Sequence, residues 1–176
     1  IKGDAEKNVS KLKDLNHSDV LGELSSLYKN GVEFVEPADL SGAIRGRHNI
    51  YSHLETMIKR ANKSITLVTT SKGVLRKLDT LSPSLSKLSK KGVKIRIVAP
   101  TTDENKQAMK EVTKIAEIKD QKGIDARFCV VDGNEIMFMM MHDDKVHPSY
   151  DIGIWVNTPY FANAMENLLD LSWKKA

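Results

Sequence analysis

From residue 43 onward, apolar residues alternate between helical spacing and short β-rich runs. Ile50, Leu54, Met57, Ile58 and Ala61 predict a helix with Asn49 as its N-cap, and Ser64 to Thr69 predicts a strand. Val74, Leu75, Leu78 and Leu81 form a second helical stripe. It is expected to break at Ser82-Pro83 and restart there with Leu85 and Leu88, because Pro suits a first helical turn. Val93 to Ala99 reads as a strand, and Asp103 opens a helix carrying Ala108, Met109, Val112, Ile115 and Ala116 that Gly123 closes. Ala126 to Val131 and Glu135 to Met141 flank Asp132-Gly133-Asn134, a hairpin turn signal, and Met137 to Met141 look buried on both faces. A brief strand over 43–45, a last strand over 151–156 and a helix entered through Thr158-Pro159 complete the order.

Residues 7–30 carry a broken helical stripe (Val9, Leu12, Leu15, Val20, Leu21, Leu24, Leu27) ending near Asn30-Gly31. The expected organisation is a helical lead-in and linker over 1–42, a possible dimerisation element, and one domain over 43–176. Strands alternating with crossover helices imply an α/β fold: a mixed, mainly parallel sheet sandwiched by helices. The chain opens on Ile1 rather than Met, so a longer parent protein is expected.

Composition narrows the class. The 176 residues are 40% hydrophobic and 28% charged with a single Cys, which excludes disorder and a disulfide scaffold. No apolar run approaches the roughly 18 residues needed to cross a bilayer, and the first 20 residues lack a signal peptide's apolar stretch. A cytoplasmic protein with no membrane partner is expected, with Cys129 buried as a small hydrophobe. The net charge of +4 is unevenly spread. Between Lys59 and Arg96 lie 11 basic residues and one acid, a balance of +10, whereas the remainder carries 16 basic and 22 acidic residues, a balance of −6. Such a segment is either a solvated helix surface or an anion-binding face, and no aromatic within it offers a base-stacking platform.

Ligands of open α/β sheets gather at the carboxyl ends of parallel strands. Two such ends here are small and polar, Thr69-Thr70-Ser71-Lys72-Gly73 and Pro100-Thr101-Thr102-Asp103. The candidate ligand-binding residues are therefore Thr70, Ser71, Lys72 and Thr101, together with Arg127, although Ser71 has an alternative role as helix cap. The chain lacks the nucleotide-binding glycine patterns, GxSxG, HExxH and CxxC. His142-Asp143-Asp144 with His147 is the one dense group of metal-ligating types, and a polar loop accounts for it. No metal, no cofactor and no catalytic residue is expected.

Ile44-Arg45-Gly46-Arg47-His48-Asn49-Ile50, followed by Met57 to Ile65, resembles the opening of the sensor domain in the archaeal TrmB family of transcriptional regulators. That resemblance implies a fold similar to phospholipase D over about residues 43–173. Asp125-Ala126-Arg127-Phe128-Cys129-Val130-Val131-Asp132 lies where the phospholipase D superfamily carries HxKxxxxD. Asp125 replaces the nucleophilic His, Arg127 replaces the Lys, and only Asp132 is retained. A carboxylate cannot stand in for an imidazole that attacks phosphorus and then leaves, so no enzymatic activity is expected. The resemblance thus implies a non-catalytic effector-sensing and dimerisation domain. Its partners would be a small-molecule effector (a sugar or a phosphorylated metabolite), a second copy of the chain, and DNA reached through a winged helix outside this chain. The alternatives are a protein-interaction or nucleic-acid-binding module using the basic 59–96 face, and an active phospholipase D-type phosphodiesterase.

Overall fold

A computed structural model describes residues 37–123 and 125–173. The lead-in stripe over 7–30 lies outside the described residues. A short helix, α1 (Pro37–Leu40), leads into β1 (Ser41–Arg45), α2 (Arg47–Lys59), β2 (Ser64–Val68), α3 (Ser71–Lys90) and β3 (Lys94–Ala99). Then follow α4 (Lys106–Val112), β4 (Glu117–Asp120), β5 (Phe128–Val131), β6 (Glu135–Met139), a 3₁₀ turn (Pro148–Tyr150), β7 (Ile152–Asn157) and α5 (Pro159–Trp173).

The seven strands form one sheet in the order β1-β7-β6-β5-β2-β3-β4. It is a mixed α/β sheet as expected, but its neighbour pairs are not mainly parallel. Only β2–β3 and β3–β4 pair parallel, while β1–β7, β7–β6, β6–β5 and β5–β2 pair antiparallel. Five strands nonetheless point the same way, because each of the two reversed strands, β5 and β7, lies between strands of that common direction. The carboxyl ends of β1, β2, β3, β4 and β6 therefore share one edge with the starts of β5 and β7.

On one face α2, α3 and α4 bury a core that includes Ile50, Leu54, Met57, Leu81, Leu85, Ile65, Ile97 and Met137. On the other face α5 lies over Val68, Val98, Phe128, Val130 and Ile136 through Ala162 and Leu169. Cys129 is fully buried, and burial pushes its thiol pKa up to about 12. The Asp132-Gly133 turn forms with φ of 56° and 67°, the two positive angles of a type I′ hairpin, and Asn134 N donates to Val131 O at 3.0 Å.

Four local expectations change. Helix α3 runs unbroken through Pro83, since Pro83 sits on its exposed side while Leu78, Leu81, Leu85 and Leu88 keep one buried stripe on the other. Ser82 does not cap a new helix; its hydroxyl donates to Leu78 O at 2.6 Å. The helix expected from Asp103 to its close at Gly123 is shortened to α4, and the residues beyond it supply β4, an edge strand held by parallel pairing with β3. Asn49 lies inside α2, its amide donating to Arg45 O at 2.8 Å, and Met140 and Met141 are exposed beyond the end of β6.

Candidate functional site

The carboxyl edge concentrates the polar groups. Thr70 is extended (φ −78°, ψ 166°) and caps α3, its Oγ1 accepting from Gly73 N at 2.9 Å, so the cap is Thr70 and not Ser71. The same hydroxyl donates to Asp143 Oδ2 at 2.8 Å. Gly73 is required by this closeness. A Cβ there would stand 2.5 Å from Thr69 Oγ1 and 2.7 Å from Thr70 Oγ1.

Asp143 and Asp151 anchor the edge. Asp151, at the start of β7, is completely buried and receives Arg127 in bidentate fashion, Nη1 at 3.1 Å and Nη2 at 2.8 Å, with Arg47 Nε at 3.0 Å. Arg127 Nη1 also donates to Met141 O at 2.7 Å, and Arg47 Nη2 to Asp143 O at 3.1 Å. Asp143 is ion-paired with Arg76 of α3. Burial alone would raise both carboxyl pKa values. Hydrogen bonds and guanidinium charge overcome it: Arg127 and Arg47 hold Asp151 below its ordinary value, and Thr70, Arg127 and Arg76 hold Asp143 below its own.

Beneath them lies Lys77, 1% exposed, its Nζ donating to Thr69 Oγ1 at 2.9 Å and standing 5.4 Å from the centre of the Tyr51 ring. Burial, with the Arg127 charge nearby, lowers its pKa to about 7. Arg127 Nε, Arg76 Nε and Asp143 Oδ1 are buried polar atoms without a hydrogen-bond partner among the described residues.

Beside this network opens a cleft of about 320 Å³ walled by Thr70, Ser71, Pro100, Gly123, Asp125, His142 and Asp144. His142 Nδ1 accepts from Asp144 N at 3.1 Å, and its Nε2 stands 3.6 Å from Asp125 Oδ1. Of the candidate residues, Thr70 and Ser71 line this cleft. Lys72 is exposed at its margin, 3.4 Å from Asp144. Arg127 lies behind it, locked to Asp151, and walls a separate, more apolar cleft with Phe128, Phe138, Phe161 and Met165. Thr101 is not a wall of either; its amide donates to Asp120 Oδ1 at 2.9 Å.

Among the described residues no group of three or more His, Cys, Asp or Glu is arranged to hold a metal, and Asp143 is engaged by Thr70 and Arg76. Asp132, the retained position of the HxKxxxxD pattern, sits at the opposite edge. It accepts from the amides of Asn62, Lys63 and Ser64 at 2.7–2.9 Å and so fastens the start of β2.

Residues 42–168 match the family model described as transcriptional regulator TrmB, EBD N-terminal subdomain. The chain belongs to this family. Among solved structures it is similar to TrmBL2, described as an archaeal chromatin protein with a novel mode of DNA binding. The TM-score is 0.63 at 16% identity, over 99% of this chain and 66% of that one. The TrmB-family chain described here thus spans just under two-thirds of TrmBL2. It also resembles NucT from Helicobacter pylori (TM-score 0.59, 11% identity) and the phospholipase D family member Nuc from Salmonella typhimurium (TM-score 0.60, 14% identity). Each of those matches covers 76% of this chain and 95% of the other, which shows the phospholipase D-like fold. No curated protein sequence matches. Among the described residues no helix is long and apolar enough to cross a membrane.

Proposed function

We propose that this TrmB-family domain is a cytoplasmic, homodimeric, non-catalytic sensor that binds a small polar effector in the cleft between Ser71 and His142. The observation that carries the reading is the state of the Arg127 guanidinium. Both of its Nη groups are committed to Asp151 and Met141 O, so it has no free fork for a phosphate, and the neighbouring Asp125 offers no nitrogen nucleophile. What remains at the carboxyl edge is an open cleft with two carboxylates, an imidazole and hydroxyls. Carboxylates accept hydrogen bonds and repel anions, so the cleft suits a polyhydroxy ligand better than a phosphorylated one. DNA in the intact regulator is engaged through a winged helix outside this chain.

The test is a thermal-shift and calorimetric panel of neutral mono- and disaccharides and their phosphates, since a ligand that binds only the folded chain raises its Tm. A saturable shift with a neutral sugar, lost in His142→Ala, is expected. A sugar phosphate binding more tightly than its parent sugar would contradict the cleft chemistry. Hydrolysis of bis-p-nitrophenyl phosphate that disappears in Arg127→Ala would contradict the non-catalytic reading.

A further inference from the structure

At the amino edge of the sheet the chain carries a different arrangement. Helices α2 and α3 both end there, and with the starts of β2 and β3 they bring together Lys59, Arg60, Lys63, Lys87, Lys90, Lys91 and Lys94, all exposed. Lys63 and Lys94 are locked side by side, Lys94 N donating to Lys63 O at 2.9 Å. Three of the seven have acidic partners: Lys59 with Glu55, Arg60 with Glu135, and Lys94 with Glu117 at 3.8 Å. Asp132 lies at the same edge, but its carboxylate is taken by three backbone amides. Lys63, Lys87, Lys90 and Lys91 have no acidic partner among the described residues.

Cations at a helix carboxyl terminus complement its dipole, and one or two per helix suffice for that. The surplus at this edge is larger. We infer that the amino edge, centred on Lys63, Lys90 and Lys91, is a second nucleic-acid contact that binds the phosphate backbone of duplex DNA without reading its sequence.

Three observations select that ligand. No aromatic residue lies between Lys59 and Arg96, so the segment that carries these lysines offers no platform of its own on which unpaired bases could stack. None of the exposed large apolar side chains falls in that segment either, so nothing there would enter a lipid surface. The edge is also the one farthest along the strands from the effector cleft, so both ligands can be held together. The inference rests on the regulator reading only in choosing DNA as the polyanion.

The experiment measures binding of the 176-residue chain to a fluorescent 30-base-pair duplex by anisotropy across a salt series. It compares Lys63→Gln/Lys90→Gln/Lys91→Gln with Lys106→Gln/Lys122→Gln/Lys145→Gln, an equal charge change on exposed lysines at the carboxyl edge. The expected result is a salt-sensitive complex weakened at least tenfold by the first triple, with the slope of log K against log salt reduced by about 3. The second triple changes affinity less than threefold. Equal losses in both would reduce the effect to net charge and overturn the inference, as would failure of the unaltered chain to bind duplex at 50 mM salt. Tighter binding of a single strand than of the duplex would also overturn it. The effector thermal shift, run on the same first triple, is expected to be unchanged, so the cleft reading stands or falls separately.

Discussion

The two edges of the sheet treat charge in opposite ways. At the carboxyl edge Arg47, Arg76, Lys77, Arg127, Asp143 and Asp151 are withdrawn from water wholly or in part and tied to one another or to Thr69 and Thr70. At the amino edge seven cations project into solvent, four of them without an acidic partner among the described residues. The first arrangement is rigid and specific because each buried charge must be satisfied in place. The second contributes little to folding and keeps its field available to a ligand. One edge shapes a cleft; the other presents a potential.

The largest test of this contrast is Asp151→Ala. It strands Arg127, whose side chain is buried, beside Arg47, whose side chain is only 13% exposed, and breaking such a buried pair from one side costs about 3–5 kcal/mol. In a chain of this size that lowers Tm by roughly 10 °C, readable by calorimetry. If the loss were below about 1 kcal/mol, the carboxyl edge would not be the rigid scaffold described. Gly73→Ala comes next. Its methyl would overlap both threonine hydroxyls, and relieving such an overlap costs about 1–3 kcal/mol, while also loosening the cap of α3.

The pH dependence follows from the same groups. Asp143 and Asp151 have lowered folded pKa values, so their stabilisation is complete above the unfolded value near 3.8 and is lost as pH falls below it. Lys77 acts in the opposite region. Between its folded pKa of about 7 and the unfolded 10.5, the unfolded chain binds the extra proton, so stability attributable to Lys77 rises with pH across that window. Lys77→Met is expected to stabilise the domain by about 1–3 kcal/mol at pH 6, with the gain shrinking above pH 7. Denaturant titrations of both proteins at pH 6 and pH 9 check the sign. A gain that grew with pH would contradict the buried, depressed lysine.

Much of the frame was legible because it depends on short-range pattern. The alternation gives β2, β3 and the Asp132-Gly133 hairpin directly, and the family resemblance carried by Ile44 to Ile65 agrees with the family match over 42–168. What failed depends on neighbours. Glu117-Ile118-Lys119-Asp120 has no strand pattern of its own and becomes β4 only because β3 offers an open edge. Pro83 is tolerated because it faces water, which periodicity around it does not reveal. At the site, Thr70 and Ser71 were reachable from strand-end logic, whereas Arg47 and Asp151 lie 104 residues apart and meet only through the antiparallel return of β7 beside β1. Lys77 did leave a trace: it occupies a position on the buried Val74-Leu78-Leu81 stripe, where a charged residue is out of place.

The smallest expected effect concerns the amino edge and is the sharper for being small. Lys63, Lys90 and Lys91 touch no acidic partner among the described residues, so the Gln triple is expected to remove only like-charge repulsion and the modest favourable interaction of Lys90 and Lys91 with the carboxyl end of α3. These terms oppose each other, and the net change in unfolding free energy is expected to stay within about 0.5 kcal/mol. Charges that can be neutralised without cost to the fold are not structural members. A loss above 1 kcal/mol in the triple would mean that these lysines hold the domain together, and the distinction between a bonded edge and a presented one would collapse.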